Sequence, residues 1–288
     1  MNRRGFAGLC VALGSSLASA GTIMAALSHA SARAAVPTVK LRDGAIVPAL
    51  GQGSANLAQE RRPEAAEEEA LRTGLSLGMT LIDTAEMYGG GRSEKLIGRV
   101  IAGQRDRVFL VSKVWPNHVA GDGIARACEA SLGRLGIDYL DLYLLHWPSR
   151  EADLSSIVAA FESLRAAGKI RAWGVSNFKV TDMEDLFRVS HGDRCATNQV
   201  LYNLASRDIE RDLLPWCEQH GMPIMPIRRS AAPAPACFVI PCLPVSALHI
   251  IARQPPWRWP GRSAAAMSLQ FPNPVQRSMS GRTPSRSH

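Results

Sequence analysis

Residues 108–145 contain one complete unit of the repeat that decides the fold. VFLVS at residues 108–112 is a short apolar strand, IARACEASLGRL at 124–135 is a helical stretch, and LDLYLL at 140–145 is the next strand. This alternation runs from Ala35 to Met225 and predicts repeated βα units around a parallel sheet. Six strands are complete by Val200 and a seventh begins at Pro223. The predicted fold class is therefore α/β, a (β/α)8 TIM barrel that closes with an eighth strand.

The other predicted elements follow the same pattern. The strands are 47–53, 80–83, 170–175 and 196–200, and the helices are 64–77, 93–102, 155–167, 182–189 and 208–220. A hairpin precedes the barrel, from Thr38–Leu41 and Ala45–Val47 around a turn that ends in Gly44. The alternative, an open doubly wound sheet, should carry a glycine-rich phosphate turn after its first strand. Gly51-Gln52-Gly53 lacks the third glycine and a helix in register, which favours the barrel.

Polar side chains end nearly every predicted strand. They are Asp83 at the second strand, Lys113 at the third, His146 at the fourth, Ser176 and Asn177 at the fifth, and Gln199 in the sixth. The carboxyl ends of barrel strands meet on one face, where such folds place their catalytic groups. Tyr88 lies on the loop just after Asp83 and can reach the same place. A single polar residue at a strand end is usually structural or solvated. Polar residues at five successive strand ends indicate a functional site.

Five ordered motifs resemble those of the aldo/keto reductase family. They are Leu81-Ile82-Asp83-Thr84-Ala85-Glu86-Met87-Tyr88-Gly89, Val111-Ser112-Lys113-Val114, Leu144-Leu145-His146-Trp147-Pro148, Gly174-Val175-Ser176-Asn177-Phe178 and Asn198-Gln199-Val200-Leu201-Tyr202-Asn203. The resemblance covers residues 36–225. It implies a TIM barrel without a Rossmann domain, NADPH or NADP+ as cofactor, and reduction of small carbonyl substrates, aldehydes or ketones, to alcohols.

The resemblance also implies a role for each matched residue. The implied catalytic tetrad is Asp83, Tyr88, Lys113 and His146. The implied cofactor contacts are Ser176, Asn177 and Gln199 at the nicotinamide carboxamide, with Gly53 and Ser54 in the loop along the cofactor. Trp115 is a weaker candidate for a wall of the substrate pocket, and a purely structural role is the alternative.

These residue types suit the reduction of a carbonyl group. Hydride delivery to the carbonyl carbon leaves an alkoxide-like oxygen, and the Tyr88 phenol can donate a proton to it. A free phenol has a pKa of about 10, and an adjacent Lys113 ammonium favours the phenolate and lowers that pKa. Asp83 would keep Lys113 charged and aimed. His146 would hydrogen-bond the carbonyl oxygen and stabilise its developing charge, so the chemistry needs no metal.

The segment after Met225 differs in composition from the rest of the chain. Residues 226–288 hold eight of the 33 basic residues and no Asp or Glu, and the other 25 basic residues balance the 25 acidic ones. The segment also holds 11 of the 18 prolines. The net charge of +8 therefore belongs to this segment, so it does not indicate nucleic acid as a partner of the barrel.

A change of reading frame accounts for this composition. The resemblance implies Ala-Tyr-Ser-Pro-Leu after Met225, with a tyrosine that stacks on the nicotinamide, but residues 226–231 read Pro-Ile-Arg-Arg-Ser-Ala. The codons CCT ATT CGC CGC TCG GC encode those residues, and one G placed in front regroups them as GCC TAT TCG CCG CTC GGC, Ala-Tyr-Ser-Pro-Leu-Gly. The same shift turns residues 271–283 into Ile-Pro-Lys-Ser-Gly-Ser-Ala-Glu-His-Val-Arg-Glu-Asn, which resembles the family motif that holds the 2′-phosphate of NADPH.

We therefore predict a frameshift, with one base missing after the Met225 codon. Residues 226–288 would be a disordered out-of-frame tail, and the barrel at 35–225 would lack strand eight and most of strand seven. Two hypotheses follow for function. The intended gene encodes an NADPH-dependent aldo/keto reductase, or the polypeptide is an inactive, unstable truncated barrel that at most binds other proteins through its exposed sheet edges.

Residues 1–34 resemble a twin-arginine (Tat) signal peptide. Asn2-Arg3-Arg4-Gly5-Phe6 joins two arginines to an aromatic residue, and Ala32-Arg33-Ala34 offers small residues at a signal-peptidase site. The intervening run is too rich in Ser and Gly for a stable membrane anchor, so we expect export to a bacterial periplasm. The six cysteines form no CxxC pair and no zinc-ligand spacing, which predicts neither a disulfide framework nor a metal site. We expect a monomer.

Overall fold

A computed structural model of the chain describes residues 37–150 and 153–227, together with the backbone of the strand Phe238–Pro241. The predicted signal peptide at 1–34 lies outside the described residues. Residues 228–237 and 242–288, which make up most of the predicted out-of-frame tail, lie outside them as well. The fold is therefore built from the segment that the sequence assigns to the barrel.

The described residues form ten strands and six α-helices. The strands are β1 (Thr38–Lys40), β2 (Ile46–Pro48), β3 (Leu50–Gly53), β4 (Leu81–Asp83), β5 (Phe109–Val114), β6 (Leu140–Leu145), β7 (Ile170–Ser176), β8 (Asn198–Leu201), β9 (Ile224–Ile227) and β10 (Phe238–Pro241). The helices are α1 (Glu64–Ser76), α2 (Arg92–Ile101), α3 (Gly123–Leu135), α4 (Leu154–Ala166), α5 (Val180–Arg188) and α6 (Leu213–Gln219).

Seven adjacent strands, β3 to β9, form a parallel sheet in chain order. This confirms the predicted α/β barrel architecture, in which each of the strands β3 to β8 is followed by a helix. The register aligns the carboxyl ends of the strands, with Gly53 opposite Asp83 and Ser176 opposite Gln199. The curl of the sheet is shown by Gln199 on β8, whose side chain donates a hydrogen bond of 2.8 Å to Asp83 on β4, although three strands lie between them.

The first predicted strand, 47–53, is divided in the structure. Residues 46–48 form β2, which pairs antiparallel with β1 in the predicted hairpin, and only Leu50–Gly53 joins the barrel sheet as β3. The division falls at Ala49, directly after Pro48, which ends β2 and has no N–H group to donate to a ladder. The hairpin is thus confirmed, and the barrel sheet begins three residues later than the sequence predicts.

The last predicted helix, 208–220, is also shorter in the structure. Residues Asp208–Glu210 form a single 3-10 turn, and α6 begins at Leu213. The Asp212 carboxylate accepts a hydrogen bond of 2.6 Å from the Leu213 N–H and so caps the helix. Pro215 then falls in the first helical turn, where its missing N–H costs no intrahelical hydrogen bond.

The seventh parallel strand continues past Met225. β9 keeps its register with β8 through Ile227, so it is as long as β3 and β8. A sheet ladder is formed by main-chain groups, so it tolerates any sequence that can adopt an extended conformation. Pro226 is tolerated because β9 is the edge of the described parallel sheet. The position beside β3, where a closed barrel would hold a parallel eighth strand, is taken by β10, which runs antiparallel with Phe238 opposite Gly53.

Two apolar clusters form the core, one on each face of the curled sheet. The outer cluster packs β-strands against the helices and includes Ile82, Phe161 and Ile224. The inner cluster fills the barrel and includes Leu81 and Val111, with hairpin residues packed below them. Because side chains alternate along a strand, the residues two positions after Leu81 and Val111 also face inward. Those residues are Asp83 and Lys113, at the carboxyl end of the barrel.

A polar bridge on the helical layer provides a test of the fold. Glu162 on α4 accepts hydrogen bonds from Trp173 Nε1 at 2.8 Å, Arg165 at 2.7 Å and Arg194 at 2.6 Å. Burial by itself raises the pKa of Glu162, but these three hydrogen bonds outweigh it and lower the pKa to about 2. The carboxylate is therefore charged in the folded chain at neutral pH.

We expect Glu162→Gln to lower the free energy of unfolding by about 2 kcal/mol at neutral pH, because hydrogen bonds to a charged group are lost. The folded-state pKa is depressed, so this stabilisation is present above the ordinary pKa of 4.5 and fades as pH falls toward about 2. Urea unfolding of both proteins between pH 7 and pH 3, roughly the range of that transition, measures it. The exposed Glu69→Gln is the control, and an equal, pH-independent loss in both variants would contradict the expectation.

Candidate active site

A buried ion pair between Lys113 and Asp83 forms the centre of the site. Lys113 Nζ donates to Asp83 Oδ1 at 2.7 Å, to Asp83 Oδ2 at 2.8 Å and to the Thr84 carbonyl oxygen at 2.8 Å. The Lys113 side chain is fully buried and that of Asp83 is 5% exposed. Three acceptors match the three N–H groups of an ammonium, so the cation is held in one orientation.

Lys113 stays protonated in this environment. Burial by itself lowers the pKa of Lys113, but the attraction of Asp83 and of Tyr88 outweighs burial, and the pKa lies above its ordinary value. The ammonium is therefore present at neutral pH. It carries a fixed positive charge at the carboxyl end of the barrel.

Tyr88 lies beside this cation. It begins a 3-10 turn, Tyr88–Gly91, that follows β4 and contains three glycines with positive φ. Lys113 Nζ is 3.4 Å from the Tyr88 hydroxyl oxygen and 4.9 Å from the centre of its ring. The contact is longer than the bonds to Asp83 because those acceptors and Thr84 already engage the three N–H groups. An ammonium at this distance stabilises the phenolate that remains after the phenol gives up its proton.

His146 completes the group of four residues implied by the resemblance. It follows β6, is buried, and stands edge-on to the Tyr88 ring with centroids 5.7 Å apart. Its main-chain N–H donates to the Val114 carbonyl oxygen at 3.1 Å, which ties it to the end of β5. The structure thus brings Asp83, Tyr88, Lys113 and His146 together at one end of the sheet.

Two indoles surround His146. Trp147 stacks on the imidazole at 3.9 Å, and Trp115 stands edge-on to both rings, with centroids 6.1 Å from His146 and 5.2 Å from Trp147. Trp115 therefore lies where a wall of the substrate pocket is predicted. No role was predicted for Trp147, although it stands next to His146 in the fourth-strand motif. An aromatic residue beside a candidate catalytic His is the signal that could have found it.

Glu86 is a second residue that the sequence argument missed. Its Oε1 accepts a hydrogen bond from the Trp115 main-chain N–H at 2.5 Å and lies 3.0 Å from His118 Nδ1. This joins the loop after β4 to the loop after β5 and holds Trp115 in position. An acidic residue between Asp83 and Tyr88 in the motif is a sequence signal, but its partner is visible only in three dimensions.

The polar residues after β7 form one hydrogen-bonded unit. Ser176 Oγ donates to the Gln199 carbonyl oxygen at 2.8 Å, and Asn177 Nδ2 donates to the His146 carbonyl oxygen and to Ser176 Oγ, both at 3.0 Å. Asn177 has φ of +62°, a left-handed conformation that Asn adopts more readily than most residues. The turn presents a hydroxyl and a side-chain amide next to His146.

Gln199 links this unit to the ion pair. Its Nε2 donates to Asp83 Oδ1 at 2.8 Å and lies 3.1 Å from Met225 Sδ. Ser54 contacts Asp83 from the other side, because its N–H and its hydroxyl both donate to the Asp83 carbonyl oxygen, at 3.0 Å and 2.9 Å. Gly53 precedes Ser54 at the end of β3. All five predicted cofactor residues therefore lie at the same end of the sheet as the tetrad.

The side-chain oxygens of these residues fit one end of a nicotinamide cofactor. A carboxamide has two N–H groups, and the oxygens of Ser176, Asn177 and Gln199 can accept hydrogen bonds from them, since the side-chain donors of the three residues are engaged within the protein. The residues implied to hold the 2′-phosphate have no counterpart in the chain after Met225. The fit therefore concerns the nicotinamide end.

Other chemistry has little support in the described part of the chain. There, no group of three or more His, Cys, Asp or Glu side chains is placed to hold a metal ion. The three cysteines at 128, 195 and 217 are buried free thiols, and burial raises the pKa of each to about 12, so they are poor nucleophiles. No helix in the described ranges is long and apolar enough to cross a membrane.

The chain is similar to known proteins in both sequence and fold. A sequence model described as the aldo/keto reductase family matches residues 49–232. The methylglyoxal reductase YeaE of Escherichia coli is 54% identical over 179 residues, and the aldo-keto reductase YhdN of Bacillus subtilis is 39% identical over 162 residues. A crystal structure of an aldo-keto reductase from Klebsiella pneumoniae in complex with NADPH is 52% identical, with a TM-score of 0.63.

The matches cover part of each protein. The YeaE alignment spans 62% of this chain and 63% of YeaE, and the YhdN alignment spans 53% of this chain and 48% of YhdN. The Klebsiella structure aligns over 66% of each chain. The chain therefore spans less than two thirds of the length of these relatives.

The buried ion pair predicts a marked dependence of stability on both partners. Lys113→Met leaves the Asp83 carboxylate buried without its cation, and we expect it to lower the free energy of unfolding by about 3–5 kcal/mol. Asp83→Asn should lower the free energy of unfolding by a similar amount. The double variant should lower it by clearly less than the sum of the two single losses. Urea unfolding of the four proteins measures this coupling. Additive losses would show that the pair does not act as a unit.

Proposed function

Because this chain belongs to the aldo/keto reductase family, we propose that its gene encodes an NADPH-dependent reductase of small aldehydes and ketones. One observation carries the proposal: Asp83, Lys113 and Tyr88 form a continuous chain of contacts that ends beside His146. Two relatives support it, since YeaE is a methylglyoxal reductase and the Klebsiella relative binds NADPH. Methylglyoxal, a small 2-oxoaldehyde, is therefore the first substrate to test.

The chain's own residues would divide the work as follows. NADPH, when bound, supplies the hydride, which adds to the carbonyl carbon with its electron pair. Ser176 and Asn177 would hold the carboxamide, and Gln199 would offer its carbonyl oxygen, since its Nε2 is engaged with Asp83. Tyr88 would donate its proton to the carbonyl oxygen as that oxygen becomes an alkoxide, which yields the alcohol and a phenolate.

The neighbours of Tyr88 make this proton transfer favourable. The Lys113 ammonium stabilises the phenolate, and Asp83 keeps that ammonium charged and aimed. His146 would hydrogen-bond the carbonyl oxygen, which orients the substrate and stabilises the charge that develops there. The indoles of Trp115 and Trp147 would form an apolar wall around the reacting group.

We also propose that the chain as it stands has lost this activity through a missing base after the Met225 codon. The residues implied for stacking on the nicotinamide and for holding the 2′-phosphate are recovered only when the frame is restored. What supports this is the absence of Asp and Glu from 226–288 and the in-frame family motifs that a single G recovers. Sequencing the DNA around codon 226 tests it directly, and codons for residues 226–231 that do not regroup into Ala-Tyr-Ser-Pro-Leu when one G is added would refute it.

The two forms of the protein should differ in cofactor binding. We expect the chain as it stands to bind NADPH weakly or not at all, because hydrogen bonds to the carboxamide contribute only about 1 kcal/mol each. Such contacts do not offset the cost of ordering a long, flexible dinucleotide. Titration of NADPH monitored by fluorescence quenching measures this for both forms. Micromolar binding by the unrestored chain would show that residues 226–288 are a working part of the protein.

In the frame-restored protein, Tyr88→Phe should lower turnover of methylglyoxal by about 100-fold or more, the range expected for loss of a general acid. Its affinity for NADPH should not change, because Tyr88 acts on the carbonyl group. Steady-state oxidation of NADPH gives the turnover, and fluorescence titration gives the affinity. Tyr139→Phe, a tyrosine outside the site, is the matched control. Equal activity of the Tyr88 variant and the control would remove Tyr88 from the mechanism.

A further inference from the structure

A cavity lies at the other end of the barrel from the tetrad. Its volume is about 390 Å3, and its lining residues are Arg42, Asp43, Arg165, Arg171, Ala172, Trp173, Asp193 and Arg194. Arg171 and Ser176 lie on the same strand, β7, and five residues of extended chain separate them by about 17 Å. The cavity is therefore distinct from the predicted active site.

Two of its arginines are held side by side by a single carboxylate. Arg165 and Arg194 both donate to Glu162 Oε2, at 2.7 Å and 2.6 Å, while Trp173 occupies Glu162 Oε1. The Glu162 side chain is only 15% exposed, so this arrangement is fixed by packing below the cavity. One negative charge thus positions two guanidinium groups, which leaves an excess of one positive charge.

The same arrangement recurs at Asp141. Its Oδ2 accepts from Arg105 at 2.7 Å, and its Oδ1 lies 3.7 Å from Arg171 Nε. Both guanidinium groups also lie over the Tyr139 ring, 4.1 Å and 4.2 Å from its centre. Arg171 is therefore held beside the cavity by stacking, with only a loose share of the Asp141 charge.

The fourth arginine comes from the hairpin. Arg42 donates to the His220 carbonyl oxygen at 2.9 Å and lies 4.9 Å from the centre of the Phe187 ring, contacts that hold it without neutralising it. Asp43 and Asp193 also line the cavity and offset part of the positive charge. Asp43 is partly engaged, since its Oδ1 accepts from the Ala45 N–H at 3.1 Å.

We propose that this cavity binds a small anion through phosphate or carboxylate oxygens. Four guanidinium groups from separate parts of the chain converge on one concave site, and each has five N–H donors in a planar fork that matches such oxygens. Glu162, Asp43 and Asp193 balance three of the four guanidinium charges, which leaves an excess of one positive charge, and the N–H groups that these contacts do not use are available to a ligand. Because the two aspartates would repel an anion, we expect the ligand to contact the arginines on the side of the cavity away from them. The proposal does not depend on the reductase activity.

The test uses the chain as it exists and titrates inorganic pyrophosphate by calorimetry at low ionic strength. The double variant Arg171→Gln, Arg194→Gln removes two cavity charges, while Glu162 keeps Arg165 and Asp141 keeps Arg105. The control, Arg126→Gln with Arg188→Gln, removes two exposed helix arginines and changes the net charge equally. We expect saturable binding whose Kd rises at least tenfold in the cavity variant and is unchanged in the control.

Residues 226–288 are rich in arginine and are present in every variant. If pyrophosphate bound to them instead of the cavity, its Kd would be the same in every variant, and that result would overturn the proposal. Equal weakening in the cavity variant and the control would also overturn it, because it would show a general effect of net charge. Thermal melting checks that each variant is folded. Arg42→Gln, which breaks no ion pair within the part of the chain that the structure describes, is a second cavity variant should the double variant melt early. A parallel titration with citrate distinguishes carboxylate from phosphate as the preferred group.

Discussion

The buried contact between Lys113 and Asp83 is the interaction on which the rest of the site depends. It joins the ends of two neighbouring strands, and Thr84, Tyr88 and Gln199 all bond to one partner or the other. An ion pair this deep is stable only when its remaining hydrogen bonds are satisfied, and here the surrounding residues satisfy them. The groups that complete the pair are also the groups proposed to act on substrate and cofactor. Stability and chemistry at this end of the barrel therefore rest on the same atoms.

The opposite end of the barrel uses charge in a different way. There, Glu162 and Asp141 each lie beside two arginines, so positive charge is left over and faces a cavity. At the tetrad one cation meets one carboxylate and the local charge is balanced. The balanced pair suits a site that must hold a neutral carbonyl and move a proton, whereas the unbalanced clusters suit the capture of an anion. The two ends are separated by the apolar interior of the barrel.

The incomplete part of the barrel lies between β9 and β3. Strand β9 extends through Ile227, past the point where the predicted frame changes, because a parallel ladder uses main-chain groups and tolerates side chains that can extend. The antiparallel β10 beside β3 follows the same logic. Backbone pairing can thus cover an exposed edge without the residues that the family places there. It cannot supply a stacking tyrosine or a phosphate clamp, since those functions reside in particular side chains.

The order of strands and helices was predictable from the sequence alone, since apolar runs and helical stretches alternate regularly from Ala35 to Met225. The shared location of Asp83, Lys113 and His146 was predictable because in a parallel barrel every strand ends on one face. Tyr88 lies on the loop after β4, and the grouping of the four residues as a tetrad came from the resemblance to the family motifs. Only the tertiary structure decided which groups meet across strands that are distant in the chain. The bond from Gln199 to Asp83, the hold of Glu86 on Trp115 and the convergence of four arginines on one cavity depend on the curl of the sheet and on side-chain direction. No periodicity in one dimension encodes those distances.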